Sequence, residues 1–158
     1  MGYICGMKIT AYIAKSKGAR KKGLRTITPS GVIRSGAECY FVPFSNGRAL
    51  KLFFEKREAR LSRMRQNKAW KAGIGPRVYS DLRAYRMRDY HGNFTDCNWW
   101  GYWTEIAQPC NSSDLDKEMP LLQAYRKVFG RPYLDISSRN MGYIKGKLVV
   151  VDFGSMST

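Results

Sequence analysis

The sequence has few of the side chains that build zinc sites and disulfide frameworks. Its four cysteines include no Cys-x-x-Cys pair, and the only histidine is His91. Zinc sites usually need closely spaced cysteine and histidine ligands, so we expect no zinc site. We interpret the cysteines as reduced thiols of a cytoplasmic protein rather than as disulfide partners. We interpret His91 as a surface residue because no nucleophile pattern lies near it.

Long apolar runs are also missing. No run approaches the roughly 20 apolar residues that a membrane-spanning helix needs. The N-terminal stretch lacks the apolar core and the cleavage site of a signal peptide. We therefore expect a protein that is neither inserted in a membrane nor exported, and that works in the cytoplasm.

Acidic residues are scarce, since 12 Asp and Glu face 28 Lys and Arg, which gives a net charge of +16. Such a charge attracts nucleic acid, nucleotides, anionic lipid or acidic proteins. The chain has 158 residues, of which 44% are hydrophobic and 13% aromatic. This length and composition suffice for one domain with a hydrophobic core and exclude simple disorder.

The N-terminal part predicts a strand followed by a basic loop. Partial period-two alternation over residues 1–13 indicates the strand. The glycine-containing segment after it either contacts a phosphate backbone or is simply solvated, and the sequence leaves both interpretations open. The basic residues of this segment are Lys15, Lys17, Arg20, Lys21, Lys22 and Arg25.

The middle of the chain predicts a small antiparallel sheet and one long helix. Short runs at 32–34, 37–42 and 49–54 predict three strands, with a Ser-Asn-Gly hairpin turn at 45–47. Residues 55–72 contain helix formers without an internal Gly or Pro. They predict the long helix, which a glycine ends.

Two further strands are predicted at 78–88 and 99–106, joined by a polar loop at 89–98. The second of these strands is dense in tryptophan and tyrosine. We expect these aromatic side chains to pack in the core of the sheet, with a docking surface as the alternative.

The C-terminal part predicts a linker, a helix and a hairpin. Pro, Asn, Ser and Asp concentrate in the linker at 108–117. Pro120 is expected to start a helix over 121–129, whose apolar spacing predicts that one face packs against the final strands. The hairpin strands are predicted at 141–144 and 147–151.

Three side chains that can bind a metal surround the last predicted strand. Asp135 and Asn140 lie in a polar loop, and Asp152 directly follows the β-branched run. Carboxylate and amide oxygens suit Mg²⁺, which keeps waters and shares its other positions with substrate phosphates. One carboxylate would then be free to act as a base.

These residues resemble the protein-kinase-like superfamily. The pattern Asp135-x-x-x-x-Asn140 followed by Asp152-Phe-Gly is similar to its catalytic-loop and metal-loop pair. The stretch Arg-Ala-Leu-Lys ending at Lys51 resembles its Val-Ala-Ile-Lys strand. The resemblance implies that Lys51 contacts the α and β phosphates of ATP, that Asn140 and Asp152 bind Mg²⁺, and that Asp135 is the base toward an acceptor hydroxyl.

The resemblance also implies supporting roles. Glu58 on the long helix would pair with Lys51, with Gln66 as the substitute in a later register. Gly36 would stand in the glycine-rich loop over the phosphates. Backbone groups around Glu105 and Ala107 would hydrogen-bond the adenine.

The sequence departs from the family pattern in three places. Only Gly36 clearly occupies a glycine position of Gly-x-Gly-x-x-Gly, so phosphate clamping would be weaker or depend on Arg34. The usual His-Arg-Asp is replaced by Tyr133-Leu134-Asp135, so the histidine that braces the catalytic loop is absent. The larger lobe that normally follows the metal loop is missing, as in the short kinase-like proteins of bacteriophages that the chain resembles.

The implied fold class is α+β, a minimal protein-kinase-like fold. It would have an N-terminal segment at 1–30, an N-lobe with an antiparallel sheet and one long helix at 31–107, and a truncated C-lobe of one helix and a hairpin at 108–158. Apolar surface left by truncation predicts a homodimer or a partner complex.

Three functions follow from these expectations. The first is a phosphotransferase that uses ATP and Mg²⁺ on a protein or small-molecule hydroxyl. The second is a pseudokinase or adaptor that binds and inhibits an acidic host protein in the host cytoplasm. The third is a basic nucleic-acid-binding protein, which only the net charge supports.

Overall fold

The computed structural model describes residues 3–4, 8–13, 23–27, 33–35, 39–44, 46–88, 99–110, 115–134, 137 and 140–153. Over these ranges the chain forms two helices and two β-sheets, which confirms the predicted α+β class. The strands are β1 (Tyr3–Ile4), β2 (Lys8–Ile13), β3 (Gly23–Ile27), β4 (Ile33–Ser35), β5 (Cys39–Pro43), β6 (Arg48–Phe53), β7 (Arg83–Arg88), β8 (Trp99–Glu105), β9 (Gln108–Pro109), β10 (Met141–Ile144) and β11 (Lys147–Val150). The helices are α1 (Lys56–Lys71) and α2 (Leu115–Phe129).

The larger sheet has the strand order β1-β4-β5-β6-β8-β7-β2-β3. Strands β4, β5 and β6 pair antiparallel in sequence, and β7 pairs antiparallel with β8. Helix α1 lies between β6 and β7 in the chain, and β8 is the neighbour of β6 in the sheet. The three strands predicted before the helix and the two predicted after it therefore belong to one sheet.

The basic N-terminal segment is not a loop throughout. Its last part forms β3, which pairs antiparallel with β2 in the register Ala11↔Arg25. Leu24, Thr26 and Ile27 supply the apolar and β-branched side chains that favour a strand, and the prediction overlooked them because of the surrounding charge. Residues 14–22 lie outside the described part of the chain.

Both predicted hairpin turns in the described chain are confirmed. Gly47 has φ 75°, and the backbone N–H of Arg48 donates to Asn46 Oδ1 at 3.0 Å. Between β10 and β11, Lys145 and Gly146 have φ 50° and 79°. Tight hairpins need positive φ at such positions, which explains why glycine and asparagine identified the turns.

Helix α1 begins and ends within one residue of the prediction. Glu58 lies in its first turn and Lys68 and Lys71 in its last, so the charges favour the helix dipole. Gly73 follows with φ 77° and its N–H donates to the Trp70 carbonyl at 2.9 Å. A left-handed glycine just past the last turn is a common helix end.

Helix α2 begins at Leu115, and the prediction that Pro120 starts it is wrong. Asp116 and Glu118 lie in the first turn and stabilise the helix N-terminus. Because Pro120 has no backbone N–H, the helix lacks one hydrogen bond to an earlier carbonyl. The helix nevertheless continues through this residue. The predicted packing face is confirmed, since Leu121 and Tyr125 are buried with residues of β11.

Two other boundaries differ from the prediction. Strand β7 begins at Arg83 rather than at residue 78, and the Trp103 N–H donates to the Ser80 side chain, Oγ, at 3.0 Å instead of to a backbone carbonyl. The predicted linker contributes β9, which pairs antiparallel with β10 in the register Gly142↔Pro109. Neither pairing is visible in the local sequence, because each partner lies far along the chain.

The chain divides into two compact units. The first unit contains Met1–Arg60 and Tyr79–Thr104, and the second contains Leu61–Val78 and Glu105–Thr158. The buried core of the first unit is formed by Val42, Phe44, Leu50, Leu52 and Tyr85, with Tyr40, Trp99 and Trp103 packed against it. The buried core of the second unit is formed by Ala69, Ile74, Cys110, Leu121, Tyr125, Tyr133, Met141, Leu148, Val150 and Phe153.

The aromatic strand, the cysteines and the helices each carried an expectation from the sequence. Tyr102 is fully buried and Trp99 and Trp103 pack on the core, which confirms the expected use of the aromatic strand. Cys39 and Cys110 carry thiols rather than a disulfide. In the described part of the chain, neither helix has the length and apolar character to cross a membrane.

Gly101 allows β8 to lie close to β6. A Cβ at this position would collide with the Lys51 carbonyl oxygen and lie 2.8 Å from Leu52 Cδ2. We expect Gly101→Ala to lower the free energy of unfolding by more than about 3 kcal/mol, because the obstacle is backbone and cannot rotate away.

Gly130→Ala is the matched control for urea unfolding. Its Cβ would meet nothing within 4 Å, so it should cost only the left-handed penalty at φ 70°, about 1–2 kcal/mol. An equal loss of unfolding free energy in the two variants would contradict the close approach of β8 to Lys51.

Candidate functional site

Lys51 lies on β6 opposite Phe41 and is only 6% exposed. Lysines are almost never this buried unless they are paired. Glu58, its predicted partner, is half-buried in the first turn of α1 within the same unit. The Lys51–Glu58 pair and the contact of Lys51 with nucleotide phosphates stay predictions.

Three of the predicted functional positions lie outside the described residues. These are Gly36 of the glycine-rich segment, the proposed base Asp135, and Gly154 of the Asp-Phe-Gly motif. His91 also lies outside them, within the predicted loop at 89–98.

Asn140 and Asp152 are neighbours at the end of β11. The Val151 N–H donates to the Asn140 carbonyl at 2.8 Å, and the Asn140 N–H donates to the Ser137 carbonyl at 3.0 Å. The backbone bond fixes Asn140 directly beside the residue that precedes Asp152. Both side chains are half-buried. The backbones of the two predicted metal ligands therefore lie close together within the second unit, and the joint binding of a metal by their side chains stays a prediction.

Tyr133 holds the backbone of Asp152. Its hydroxyl donates to the Asp152 carbonyl at 2.9 Å, and its ring packs edge-to-face on Tyr125 with centroids 4.9 Å apart. Tyr133 stands where the resemblance expects a bracing histidine. The sequence shows that the histidine is missing but does not indicate this bond, although a buried tyrosine hydroxyl commonly finds an acceptor.

Phe153 anchors the other side of Asp152. Its side chain is fully buried, with its ring centroid 6.3 Å from that of Phe129. Arg65 Nη1 donates to the Phe153 carbonyl at 3.3 Å. The backbone on both sides of the Asp152 side chain is thus held by the core, while the carboxylate itself is partly exposed.

The predicted adenine segment runs from Glu105, the last residue of β8, to Ala107, the residue before β9. A Cβ on Gly142 would lie 2.8 Å from Ala107 Cβ and 3.5 Å from Val151 Cγ1, so these two residues approach Gly142 from either side. The Glu105 N–H donates to the Arg77 carbonyl at 2.9 Å, and the Arg77 N–H donates to Glu105 Oε1 at 3.2 Å. This reciprocal pair fixes the start of the segment.

Gln66, the alternative to Glu58, has a structural contact in the second unit. It is fully buried, and its amide Nε2 donates to the Pro76 carbonyl at 3.2 Å. This bond ties the last turns of α1 to the chain that follows it.

The donor set fits a magnesium ion that is shared with phosphates. Within the described ranges, no three His, Cys, Asp or Glu side chains form a cluster that could hold a metal alone. Asn140 and Asp152 offer an amide oxygen and a carboxylate on a fixed backbone. Mg²⁺ usually binds through one or two carboxylates together with waters and substrate phosphates, so two protein ligands suffice.

Fold and site together define an α+β protein with a candidate magnesium–phosphate site at the end of β11. No protein-family model matches the sequence, and neither the curated proteins nor the solved structures contain a significant match. Functional inference therefore depends on the residues themselves.

The bond from Tyr133 to Asp152 can be tested against a second buried tyrosine. We expect Tyr133→Phe to lower the free energy of unfolding by about 1–2 kcal/mol, because it removes a part-buried hydrogen bond. Urea unfolding followed by circular dichroism measures the change.

Tyr85→Phe is the control. Among the described residues, the Tyr85 hydroxyl makes no hydrogen bond of good geometry, although the Trp103 side chain lies close enough to lower its pKa slightly. Burial has the larger effect and raises this pKa. Removing this hydroxyl should leave the free energy of unfolding unchanged or raise it by up to about 1 kcal/mol. If the two variants are equally stable, the Tyr133 hydroxyl does not hold Asp152.

Proposed function

We propose that the protein binds a purine nucleotide with Mg²⁺ and transfers a phosphoryl group from it to an acceptor hydroxyl. The observation that carries the proposal is the pairing of Asn140 with the end of β11, where Tyr133 holds Asp152. The sequence motifs predict that these residues share one site, and the backbone contacts that place Asn140 beside the residue before Asp152 support that proposal.

Each residue has a defined part in the proposed reaction. Asn140 and Asp152 hold the magnesium, which when bound neutralises charge on the phosphates. Lys51 supplies a cation for the α and β phosphates. Asp135 accepts the proton of the acceptor hydroxyl as its oxygen bonds to the γ phosphorus and the bond to the leaving nucleoside diphosphate breaks.

The first unit supports the same proposal by its chain order. Three antiparallel strands lead through Lys51 to a long helix, and two further strands complete the sheet with β8 next to β6. This order of strands and helix along the chain is the one that the family resemblance implies for a small lobe, and it supports the proposal. The buried position of Lys51 also suits a cation with a fixed direction, which positioning catalysis requires.

The adenine would bind at the start of the second unit's small sheet. Because the Glu105 N–H already donates to Arg77, the base would use the Glu105 carbonyl or the backbone groups of Ala107. Ala107 is half-buried beside Gly142 and carries no side chain large enough to block a ring.

A pseudokinase or adaptor is the second candidate, and Leu134 favours it. This leucine replaces the arginine of the family's His-Arg-Asp and is 80% exposed. A large exposed apolar side chain next to the predicted base suits contact with a protein partner more than contact with phosphates.

Nucleotide binding is tested by thermal unfolding with ATP and Mg²⁺. Ligand at 100 times its dissociation constant should stabilise the folded protein by about 2.7 kcal/mol. We expect Asp152→Asn to remove the magnesium-dependent part of this stabilisation, because it removes the ligand charge.

Asp116→Asn is the matched control, since it removes one exposed carboxylate from α2. It should leave the stabilisation by ATP and Mg²⁺ intact. No stabilisation of the wild-type chain at millimolar ATP would count against both kinase-derived functions.

Phosphoryl transfer separates the enzyme from the adaptor. With labelled ATP and lysate as acceptor, we expect transfer that Asp135→Ala and Asp152→Ala each abolish, while circular dichroism shows that both variants stay folded. Nucleotide binding without transfer would favour the adaptor. Transfer that survives both substitutions would refute the proposed mechanism.

A further inference from the structure

A pocket lies entirely within the first unit. Its volume is about 270 Å³. The pocket is lined by Asn46, Arg48, Tyr79, Ser80, Arg83 and Trp103. It combines two arginines with two aromatic rings and two neutral polar side chains.

This pocket is separate from the residues of the proposed phosphotransfer site. Side chains alternate across a strand, so Arg48 and Lys51 on β6 point to opposite faces of the sheet. Arg48 lies on the face of Leu50 and Leu52, which pack in the core of the first unit. None of the six lining residues belongs to the proposed phosphotransfer site.

Backbone contacts fix the aromatic walls. The Trp103 N–H donates to Ser80 Oγ at 3.0 Å, and the Tyr79 N–H donates to the Trp103 carbonyl at 2.9 Å. The Trp103 ring also packs on Phe44, with centroids 4.9 Å apart. Both rings are half-buried, so each is held in place yet still reaches the pocket.

On the cationic side of the pocket, Arg48 is also held by defined contacts. The Arg48 guanidinium lies 4.1 Å from the centroid of the Tyr79 ring, and its backbone N–H is held by Asn46 Oδ1. The side chains of Arg48 and Arg83 are both exposed. Guanidinium groups bind phosphate oxygens in pairs, and a stacked guanidinium loses less freedom when it does so.

We propose that this pocket binds one nucleotide of a single-stranded nucleic acid. The base stacks on an aromatic wall, and Arg48 and Arg83 contact the neighbouring phosphates. Aromatic rings beside a basic surface are how proteins bind single strands without sequence preference. The net charge of +16 supplies the long-range attraction for such a polyanion.

The size and composition of the pocket favour this ligand. Pockets for whole drug-sized ligands usually span about 300–1,000 Å³, so this one suits a single base with its phosphates at the rim. A simple anion would need the arginines but not the two rings. An acidic peptide offers carboxylates but lacks a planar ring at regular spacing.

The test is fluorescence anisotropy of a labelled 12-nucleotide poly(U) strand, with the double variant Arg48→Ala/Arg83→Ala. We expect binding to weaken at least tenfold. Arg126→Ala/Lys127→Ala is the control, since it removes two exposed positive charges from α2. It should weaken binding less than about threefold by the general charge effect alone. Equal losses in the two double variants would overturn the proposal.

Stacking is tested separately with a strand that carries abasic sites. The wild-type chain should bind the intact strand about tenfold more tightly than the abasic one, and Tyr79→Leu should reduce this preference. Circular dichroism confirms that each variant is folded. No preference in the wild-type chain would refute base stacking.

Two further measurements test whether the ligand is a strand or a free nucleotide, and whether the pocket is independent of the proposed phosphotransfer site. Uridine monophosphate should compete at least tenfold less well than the strand, and equal competition would overturn the single-strand assignment. Stabilisation by ATP and Mg²⁺ should persist in Arg48→Ala/Arg83→Ala. Its loss there would show that the pocket is not separate from the proposed phosphotransfer site.

Discussion

The position of Asp152 depends on the burial of the residue that follows it. Phe153 is completely buried, and the carbonyls of Asp152 and Phe153 accept from Tyr133 and Arg65. The buried Phe153 ring restricts the backbone conformations that the chain could otherwise adopt after the end of a strand. The backbone of Asp152 is therefore held in place, while its side chain is partly exposed. A ligand held in this way loses little entropy when it binds a cation, which favours a weak site completed by phosphates.

Local signals allowed much of the fold to be predicted. Gly47 and Gly146 identify hairpins because positive φ is needed there, and α1 is continuous because its sequence lacks Gly and Pro. Pairings between distant segments could not be predicted in the same way. Strand β9 depends on Gly142, and the late start of β7 depends on Trp103. Such contacts have no local signature, since they depend on which segments the core brings together.

The candidate site could also be predicted only in part. Asn140 and Asp152 were identified by their chemistry and spacing, and the hydrogen bond from Val151 to Asn140 places their backbones close together. The role of Tyr133 could not be identified, because a tyrosine in place of a histidine suggests loss of a brace rather than its replacement. The structure shows a brace of another kind, because the Tyr133 hydroxyl donates to the Asp152 carbonyl while its ring packs on Tyr125.

Strand β6 gives a physical reason to expect two anion-binding functions in one small protein. Alternation places Lys51 on one face of the sheet and Arg48 on the other, and the two cations have different surroundings. Lys51 is buried, so its charge must be matched by fixed groups and suits one defined ligand. Arg48 is exposed and stacked on Tyr79, so it can follow a flexible polyanion. A net charge of +16 exceeds the charge of a single nucleotide, so it would also attract the more extended anionic ligand that is proposed for the Arg48 pocket.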